Sequence, residues 1–224
     1  EILPEPTVGE APTIELQNPL NREVDAAGLK LVINDTYEYV LPEDLPPLPA
    51  GGFVLIKLDG KGTAAGDHRY QDGVAILHAS PELNHAFERE EGESAGQIAI
   101  YRMDNPEAQK LVGFVAWGRP AAAAGRSLER ARIWPIGRFV SMTESFGLYP
   151  PETNAPEAYS IGIHPLSRRA RPQDWVVYSE DEITLGRPNA APAPKQFTAP
   201  DGTVFRSGDL AVGWTGNGHE IGRA

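Results

Sequence analysis

The sequence predicts an all-β protein, and three observations lead to that prediction. Its 21 prolines and 23 glycines are spread along 224 residues, and breaks at that spacing exclude long helices. Eight short segments alternate apolar and polar residues or are rich in β-branched and aromatic side chains, as strands are. Turn residues separate these segments, which is typical of an antiparallel sandwich or barrel.

The predicted strands follow one another through most of the chain. They are residues 13–17, 29–33, 37–41, 53–58, 74–78, 97–102, 111–117 and 175–178. Asn34-Asp35-Thr36 suits a tight turn between the second and third of them. Gly51-Gly52 permits the positive φ that a turn needs before the fourth. With 41% apolar residues, the chain can build a core, and residues 1–189 are assigned to one β domain.

Three later segments depart from this rhythm. Residues 139–171 hold four prolines and the basic tract Arg168-Arg169-Ala170-Arg171, which predicts a long loop inserted in the domain. The proline- and alanine-rich residues 190–195 predict a semi-rigid linker. Residues 196–224 contain the turn sequence Pro200-Asp201-Gly202 and an alternating run at 210–214. They predict an extension strand or hairpin that is too short to form a core alone.

Composition argues against several classes of function. The chain has 31 acidic and 20 basic residues, and a formal charge of −11 disfavours binding to nucleic acid through its phosphates. It has no run of 18 apolar residues, so we expect no membrane span. It has no cysteine, so disulfides and zinc–thiolate sites are excluded. Because Glu1 is not a methionine, we interpret the start as a removed signal peptide, which predicts a secreted or cell-surface protein.

One stretch matches a catalytic motif. Gly92-Glu93-Ser94-Ala95-Gly96 fits the G-x-S-x-G of serine hydrolases, in which a buried strand turns sharply into a helix. Here the preceding "FEREE" is too charged for a buried strand, and the following "QIAIYRM" alternates as a strand does. We therefore predict that Ser94 lies in an acidic loop, that the match is due to chance and that the protein is not an enzyme.

The other polar patterns predict no metal site and no cofactor. The five histidines have neither H-x-H nor H-E-x-x-H spacing. Asp59-Gly60-Lys61-Gly62 lacks the later acids of a calcium loop, so a hairpin turn fits it better. Asn34 begins a glycosylation sequon, which would be used only if the chain is secreted.

Seven short sequence elements follow one another through residues 1–189, each of them once. They are "EILPEP" (1–6), "IELQNP" (14–19), "DAAGL" (25–29), "LPAGGFVLI" (48–56), "QIAIY" with "VGFVAWG" (97–101 and 112–118), "GRSLER" (125–130) and Trp175 followed by "TLGRPN" (184–189). In this order they resemble the lamin-tail domain family, bacterial secreted type. The resemblance implies an immunoglobulin-like antiparallel β-sandwich. Leu29 stands where that family has a tryptophan, and the first strand starts so late that its edge is expected to be partly open.

The resemblance implies a non-catalytic secreted or surface module, and two functions fit it. The first is a structural protein that associates with itself by β-strand addition into an extracellular assembly or filament. Leu210, Val212 and Trp214 would then be the inward-facing anchors, unless the tail folds back on its own domain or begins another. The second is a monomeric accessory module of a larger secreted enzyme, with a polysaccharide, cell-wall polymer or protein as its partner.

The second function has its own candidate surface. Residues 1–50 carry ten acids and two bases, whereas residues 119–171 carry eight arginines and four acids. Arginine suits anionic partners through its forked guanidinium group. The candidates are Arg126, Arg130, Arg132, Arg168, Arg169 and Arg171. A sugar site would also need exposed aromatic rings, for which Trp134, Phe146, Tyr149 and Tyr159 are available.

Overall fold

Thirteen β-strands make up the described part of this computed structural model, which covers residues 1–6, 9–62, 68–83, 86–87, 95–105, 108–118, 132–135, 138–140, 159–167, 171–191, 196–198 and 204–206. They are β1 (Ile2–Glu5), β2 (Thr13–Gln17), β3 (Lys30–Ile33), β4 (Tyr37–Val40), β5 (Phe53–Lys57), β6 (His68–Gln71), β7 (Val74–His78), β8 (Gly96–Asn105), β9 (Ala108–Trp117), β10 (Tyr159–Ile163), β11 (Trp175–Ser179), β12 (Gln196–Thr198) and β13 (Val204–Arg206). All eight predicted strands are confirmed, although several ends shift.

The strands form two large sheets and one small one. The order in the seven-stranded sheet is β11-β10-β1-β2-β5-β7-β6, and in the four-stranded sheet it is β4-β3-β8-β9. Strands β12 and β13 pair with each other as a separate hairpin. Neighbouring strands are antiparallel except β5 and β7, which run parallel. In the described part of the chain, no helix is long and apolar enough to cross a membrane.

One hydrophobic cluster joins the two large sheets. Strand β3 buries Leu31 and Ile33 and leaves Lys30 and Val32 partly exposed, as a strand with one covered face does. Ile14 of β2 and Ile56 of β5 belong to the same cluster from the other sheet. The prediction of an all-β protein is therefore confirmed, and the two sheets are consistent with a β-sandwich.

Two predictions about the seven-stranded sheet are wrong. Residues 139–171 were expected to form a loop, but Tyr159–Ile163 are strand β10, which lies between β1 and β11. The first strand was expected to have an open edge, but β1 pairs with β10 on one side and β2 on the other. Both errors have the same cause. Ile2 pairs with Ile161, and no local pattern announces a partner so distant in the sequence.

The C-terminal extension forms a hairpin in its described part. Phe197 of β12 lies opposite Phe205 of β13, and the predicted turn at Pro200-Asp201-Gly202 falls between the two strands, outside the described residues. The alternating run at 210–214 also lies outside them. The predicted tight turn after β3 is confirmed, since Asn34 and Asp35 have φ of 51° and 58°.

Candidate functional site

Most of the residues predicted to act lie outside the described part of the structure. This holds for Ser94, Leu210, Val212, Trp214, Arg126, Arg130, Arg168 and Arg169. Arg132 and Arg171 are described, and both are exposed. The backbone N–H of Arg171 donates to Asp174 Oδ2 over 3.0 Å, at the start of a short 3₁₀ turn. The structure thus leaves the arginine surface available at these two positions.

Two of the aromatic rings predicted to be exposed are buried. Trp134 is 0% exposed and Tyr159 is 3% exposed, so neither can present a ring face to a sugar and this prediction is wrong for both. The Trp134 ring packs edge-on against Phe114 at a centroid distance of 5.9 Å. Its Nε1–H donates to the backbone carbonyl of Arg138 over 2.6 Å. Phe146 and Tyr149 lie outside the described residues.

Asn34, the predicted glycosylation residue, ties the β3–β4 turn to the rest of the fold. Its Oδ1 accepts from the backbone N–H of Gln97 at 2.9 Å, and its Nδ2 donates to the carbonyl of Ala86 at 2.7 Å. A glycan on Nδ2 would leave one hydrogen for that second bond. The side chain therefore has a structural role, and its glycosylation stays a prediction.

Asn18, from the "IELQNP" element, holds a neighbouring turn in place. Its buried Nδ2 lies 2.8–3.1 Å from the carbonyl oxygens of Arg22, Leu48 and Pro49. Its backbone N–H donates to the carbonyl of Gly52 over 2.9 Å. Buried backbone carbonyls need partners of this kind, so one asparagine fixes the turn that leads into β5.

The "TLGRPN" element closes over the seven-stranded sheet through a buried carboxylate. Glu1 Oε1 accepts from the hydroxyl of Ser160 at 2.5 Å, and Glu1 Oε2 accepts from the hydroxyl of Thr184 at 3.0 Å. Asn189 Nδ2 donates to the carbonyl of Ile163 over 2.9 Å. A Cβ on Gly162 would overlap Asn189, so this position needs glycine. These contacts join the start of the domain to its last described loop.

Glu15 is a second buried carboxylate beside the first. It is 6% exposed, and its Oε2 accepts from the backbone N–H of Gly186 at 2.6 Å. Burial raises its pKa to about 6, and the nearby Glu1 carboxylate adds to the rise. The Glu1 amino group, 3.7 Å from Oε1, and the Gly186 N–H partly offset it. A perturbed acid can mark a catalytic site, but the groups that surround Glu15 hold the closing loop.

An open cleft of about 520 Å³ lies where β5 ends. It is lined by residues 9–13, by Lys57 and Lys61, and by Asp59. Asp59 Oδ2 is 2.8 Å from His78 Nδ1 and 3.5 Å from Lys61 Nζ. Burial opposes the ionisation of Asp59, but the hydrogen bond from His78 and the charges of His78 and Lys61 hold its pKa below the ordinary value of 3.8.

Asp59 in the cleft and its partner His78, which is not part of the lining, are two of the parts that a hydrolase triad needs, a carboxylate and the histidine that it orients. Within the described residues, His78 has no hydroxyl or thiol as a hydrogen-bond partner that could serve as a nucleophile. No group of three His, Asp or Glu side chains there could hold a metal ion. The lining has two lysines, Lys57 and Lys61, and two acids, Glu10 and Asp59, so the cleft is of mixed charge. The hairpin turn predicted at residues 59–62 is wrong, because β5 and β6 do not pair with each other and both pair with β7.

Strand β4 forms an open edge of the four-stranded sheet. It pairs with β3 alone in the described structure, from Tyr37 opposite Ile33 to Val40 opposite Lys30. Tyr37 and Tyr39 pack against the core and are half-buried, whereas Glu38 and Val40 are exposed. Burial raises the pKa of Tyr39 to about 12. Sequence reasoning named this strand but not its position, because the order of strands in a sheet is not a local property.

Comparisons with protein-family models, with curated proteins and with solved structures find no match to this chain. The described features that bear on function are motif residues that fix turns, a cleft of mixed charge, an open strand edge and a separate C-terminal hairpin.

Proposed function

We propose that this protein is a non-catalytic structural module, secreted or displayed at a cell surface, that associates with itself by β-strand addition through residues 196–224. The observation that carries this proposal is the hairpin β12–β13, which in the described structure pairs with neither large sheet. A two-stranded hairpin by itself is marginally stable in water. A surface on another copy is a partner that would stabilise it.

The proposed fold is an immunoglobulin-like β-sandwich of the lamin-tail type. Support comes from the residues that carry the sequence resemblance, because they make specific structural bonds here. Asn18 binds the turn before β5, and Thr184 and Asn189 bind the closing loop to the sheet. Gly28 has φ of +68°, which favours glycine at that step.

The proposed donor is the alternating run at residues 209–214. Leu210, Val212 and Trp214 would point to one face of an added strand, and Ala211 and Gly213 to the other. If each copy donates this strand to the next, the contact is head-to-tail. Such contacts extend into filaments when the rotation between copies does not close a ring.

The roles of the described polar groups support the non-catalytic part of the proposal. Glu1 and Glu15 bind the closing loop, and Asp59 binds His78 and Lys61. Each of these acids therefore already has a structural partner, as in a scaffold.

The experiment that tests the proposal changes one face of the donor run at a time. Val212→Asp places a charge among the proposed anchors, whereas Ala211→Lys places a charge on the opposite face, where it does not repel an acid. Light scattering and electron microscopy of the purified chains should show oligomers or fibres for the unmodified chain and for Ala211→Lys, and monomers for Val212→Asp. Equal association of the two variants would contradict the proposed donor face, and a monomeric unmodified chain would contradict self-association.

A second candidate function is a monomeric module that binds an anionic polysaccharide or protein for a larger enzyme. The observation that favours it is the cleft with Lys57 and Lys61, together with the exposed Arg132 and Arg171. Calorimetric titration with an acidic polysaccharide tests it. Binding that Lys61→Ala weakens and that a neutral polysaccharide does not reproduce would support this function instead.

A further inference from the structure

We infer that strand β4 is the acceptor edge for strand addition and that its occupant is the run at residues 209–214 of a second copy of this chain. The inference rests on the proposed function and goes beyond it by naming the edge, the pairing atoms and the partner. Three observations support it. The outward backbone groups of β4 are free to pair with an added strand in the described structure, its two tyrosines are half-buried, and the other edges of the two large sheets suit an added strand less well.

The outward backbone groups of β4 belong to Glu38 and Val40. The N–H of Leu41 donates to the carbonyl of Leu29, which lies opposite it just beyond the paired residues. Hydrogen-bonded and non-hydrogen-bonded pairs alternate along an antiparallel ladder. Counting back from Leu41, the backbone groups of Tyr39 and Tyr37 point to β3, and those of Glu38 and Val40 point away from it. An added strand would find two donors and two acceptors in register.

The core face of β4 is only partly covered. Tyr37 and Tyr39 pack on the core but stay half-buried, and they lie on the last described strand of their sheet. Apolar side chains of an added strand, two residues apart, would lie beside the two rings and cover more of them. Leu210, Val212 and Trp214 have that spacing, and Tyr37 and Tyr39 have it too. The added strand would therefore extend the hydrophobic core by one strand beyond β4.

The charge on the outer face does not oppose this pairing. Lys30 Nζ lies 2.7 Å from Glu38 Oε1, so the acid on the edge strand has a cation beside it. Like charges directly opposite each other destabilise a sheet. On the outer face of the donor, Ala211 and Gly213 are uncharged and Asp209 is acidic, so the charges do not oppose the pairing in a register that keeps Asp209 away from Glu38.

The other three edges of the two large sheets suit an added strand less well. Strand β9 has a bulge at Val112, and its end already pairs with Val140. Bulges of this kind protect edges. Strand β11 lies between two 3₁₀ turns, Pro172–Asp174 and Glu180–Glu182. Strand β6 reads His-Arg-Tyr-Gln, so one apolar ring is all that it offers to a partner.

Hydrogen exchange at single residues, measured by NMR on the full chain, tests the inference with an internal control. In dilute protein the amides of Tyr37 and Tyr39 should exchange slowly and those of Glu38 and Val40 quickly. When the chains associate at high concentration, exchange at Glu38 and Val40 should slow by about tenfold or more, because these amides gain hydrogen bonds. Unchanged exchange at both amides in the associated state would overturn the inference.

A pair of variants at Val40 distinguishes the contribution of its backbone N–H from the contribution of its side chain. Val40→Pro removes the outward N–H that an added strand would use but leaves the bonds to β3, since proline is tolerated where the N–H faces solvent. Val40→Thr keeps that N–H and the branched side chain. We expect Val40→Pro to weaken association by about tenfold or more and Val40→Thr to retain it. Circular dichroism must show both variants folded. If Val40→Pro unfolds, the exchange measurement decides.

Mixing distinguishes the failure of this inference from that of the proposed function. Val40→Pro keeps its donor, and Val212→Asp keeps its acceptor, so the mixture should give a one-to-one complex that neither forms alone. If Val40→Pro associates like the unmodified chain while Val212→Asp does not, the donor stands and the acceptor is another edge. If neither substitution alters association, both proposals fail. Slow exchange at Glu38 and Val40 at every concentration would mean that the donor run pairs with β4 of its own chain, and it would overturn the inference that the partner is a second copy.

Discussion

Glu15 offers the most quantitative prediction, a dependence of stability on pH. Its pKa is raised from the ordinary 4.5 to about 6 in the folded chain, where it is 6% exposed. The folded state therefore binds this proton more tightly than the unfolded state does. Protonation of Glu15 stabilises the fold fully below pH 4.5, and this contribution is lost as the pH rises through about 6.

The magnitude follows from the size of that shift. A difference of about 1.5 pH units corresponds to about 2 kcal/mol when the contribution is complete. Between pH 7 and pH 5 the same linkage gives about 1 kcal/mol, because the unfolded carboxyl is still largely ionised at pH 5. The groups that face Glu15 are the Glu1 amino group, the Glu1 carboxylate and the Gly186 N–H, and they set how far the shift goes.

Glu15→Gln removes the titration and keeps the shape of the side chain. Urea unfolding of both chains at pH 7 and pH 5 should show that the unmodified chain gains about 1 kcal/mol more than the variant on acidification. Glu82→Gln is a matched control, since it removes the same charge at an exposed position. If the free energy of unfolding changes by the same amount between pH 7 and pH 5 in Glu15→Gln and in the unmodified chain, the raised pKa of Glu15 does not contribute to stability and the reasoning is refuted.

Three further predictions concern the structural bonds. Asn18→Ala should lower the free energy of unfolding by about 1–3 kcal/mol, because buried carbonyls lose their donor; a loss within experimental error would contradict that role. Asp59→Asn should reduce the destabilisation seen on acidification, because the stability that Asp59 contributes is present above its ordinary pKa of 3.8 and lost as the pH falls through its lower folded value. Melting temperatures between pH 2 and pH 5 measure this, and parallel curves would contradict it. Gly96→Ala should cost about 1–3 kcal/mol, since the methyl group would overlap the Trp117 ring. Tryptophan fluorescence during urea unfolding measures it, with Gly113→Ala as the roomier control.

The strands could be predicted from the sequence because the signal for a strand is local. Strand β3, for example, buries Leu31 and Ile33 and leaves Val32 partly exposed. That alternation is visible in the letters, as is the turn that follows at Asn34 and Asp35. The pairing of strands is not local. Strand β10, "YSIGI", lies among prolines and reads as part of a loop until β1 and β11 cover both its edges.

The candidate sites were harder to predict because burial depends on distant residues. Glu15 lies on the face of β2 opposite Ile14, where alternation predicts exposure to solvent. The loop at residues 184–189 covers it, and nothing near Glu15 in the sequence indicates that cover. The exposure predicted for Trp134 and Tyr159 was wrong for the same reason, since both rings are buried and their cover, such as Phe114 against Trp134, comes from residues distant in the sequence. Asn18 and Asn189 lie in two of the elements on which the resemblance was based, and both make structural hydrogen bonds here.

The central claim is that the C-terminal extension joins one copy of this chain to the next. Sedimentation velocity over a wide range of concentrations, on the intact chain and on a chain that ends at Asn189, tests it most directly. We predict that the intact chain shows a mass that grows with concentration and that the shortened chain stays monomeric. Two chains that remain monomeric throughout, or that associate equally, would contradict it.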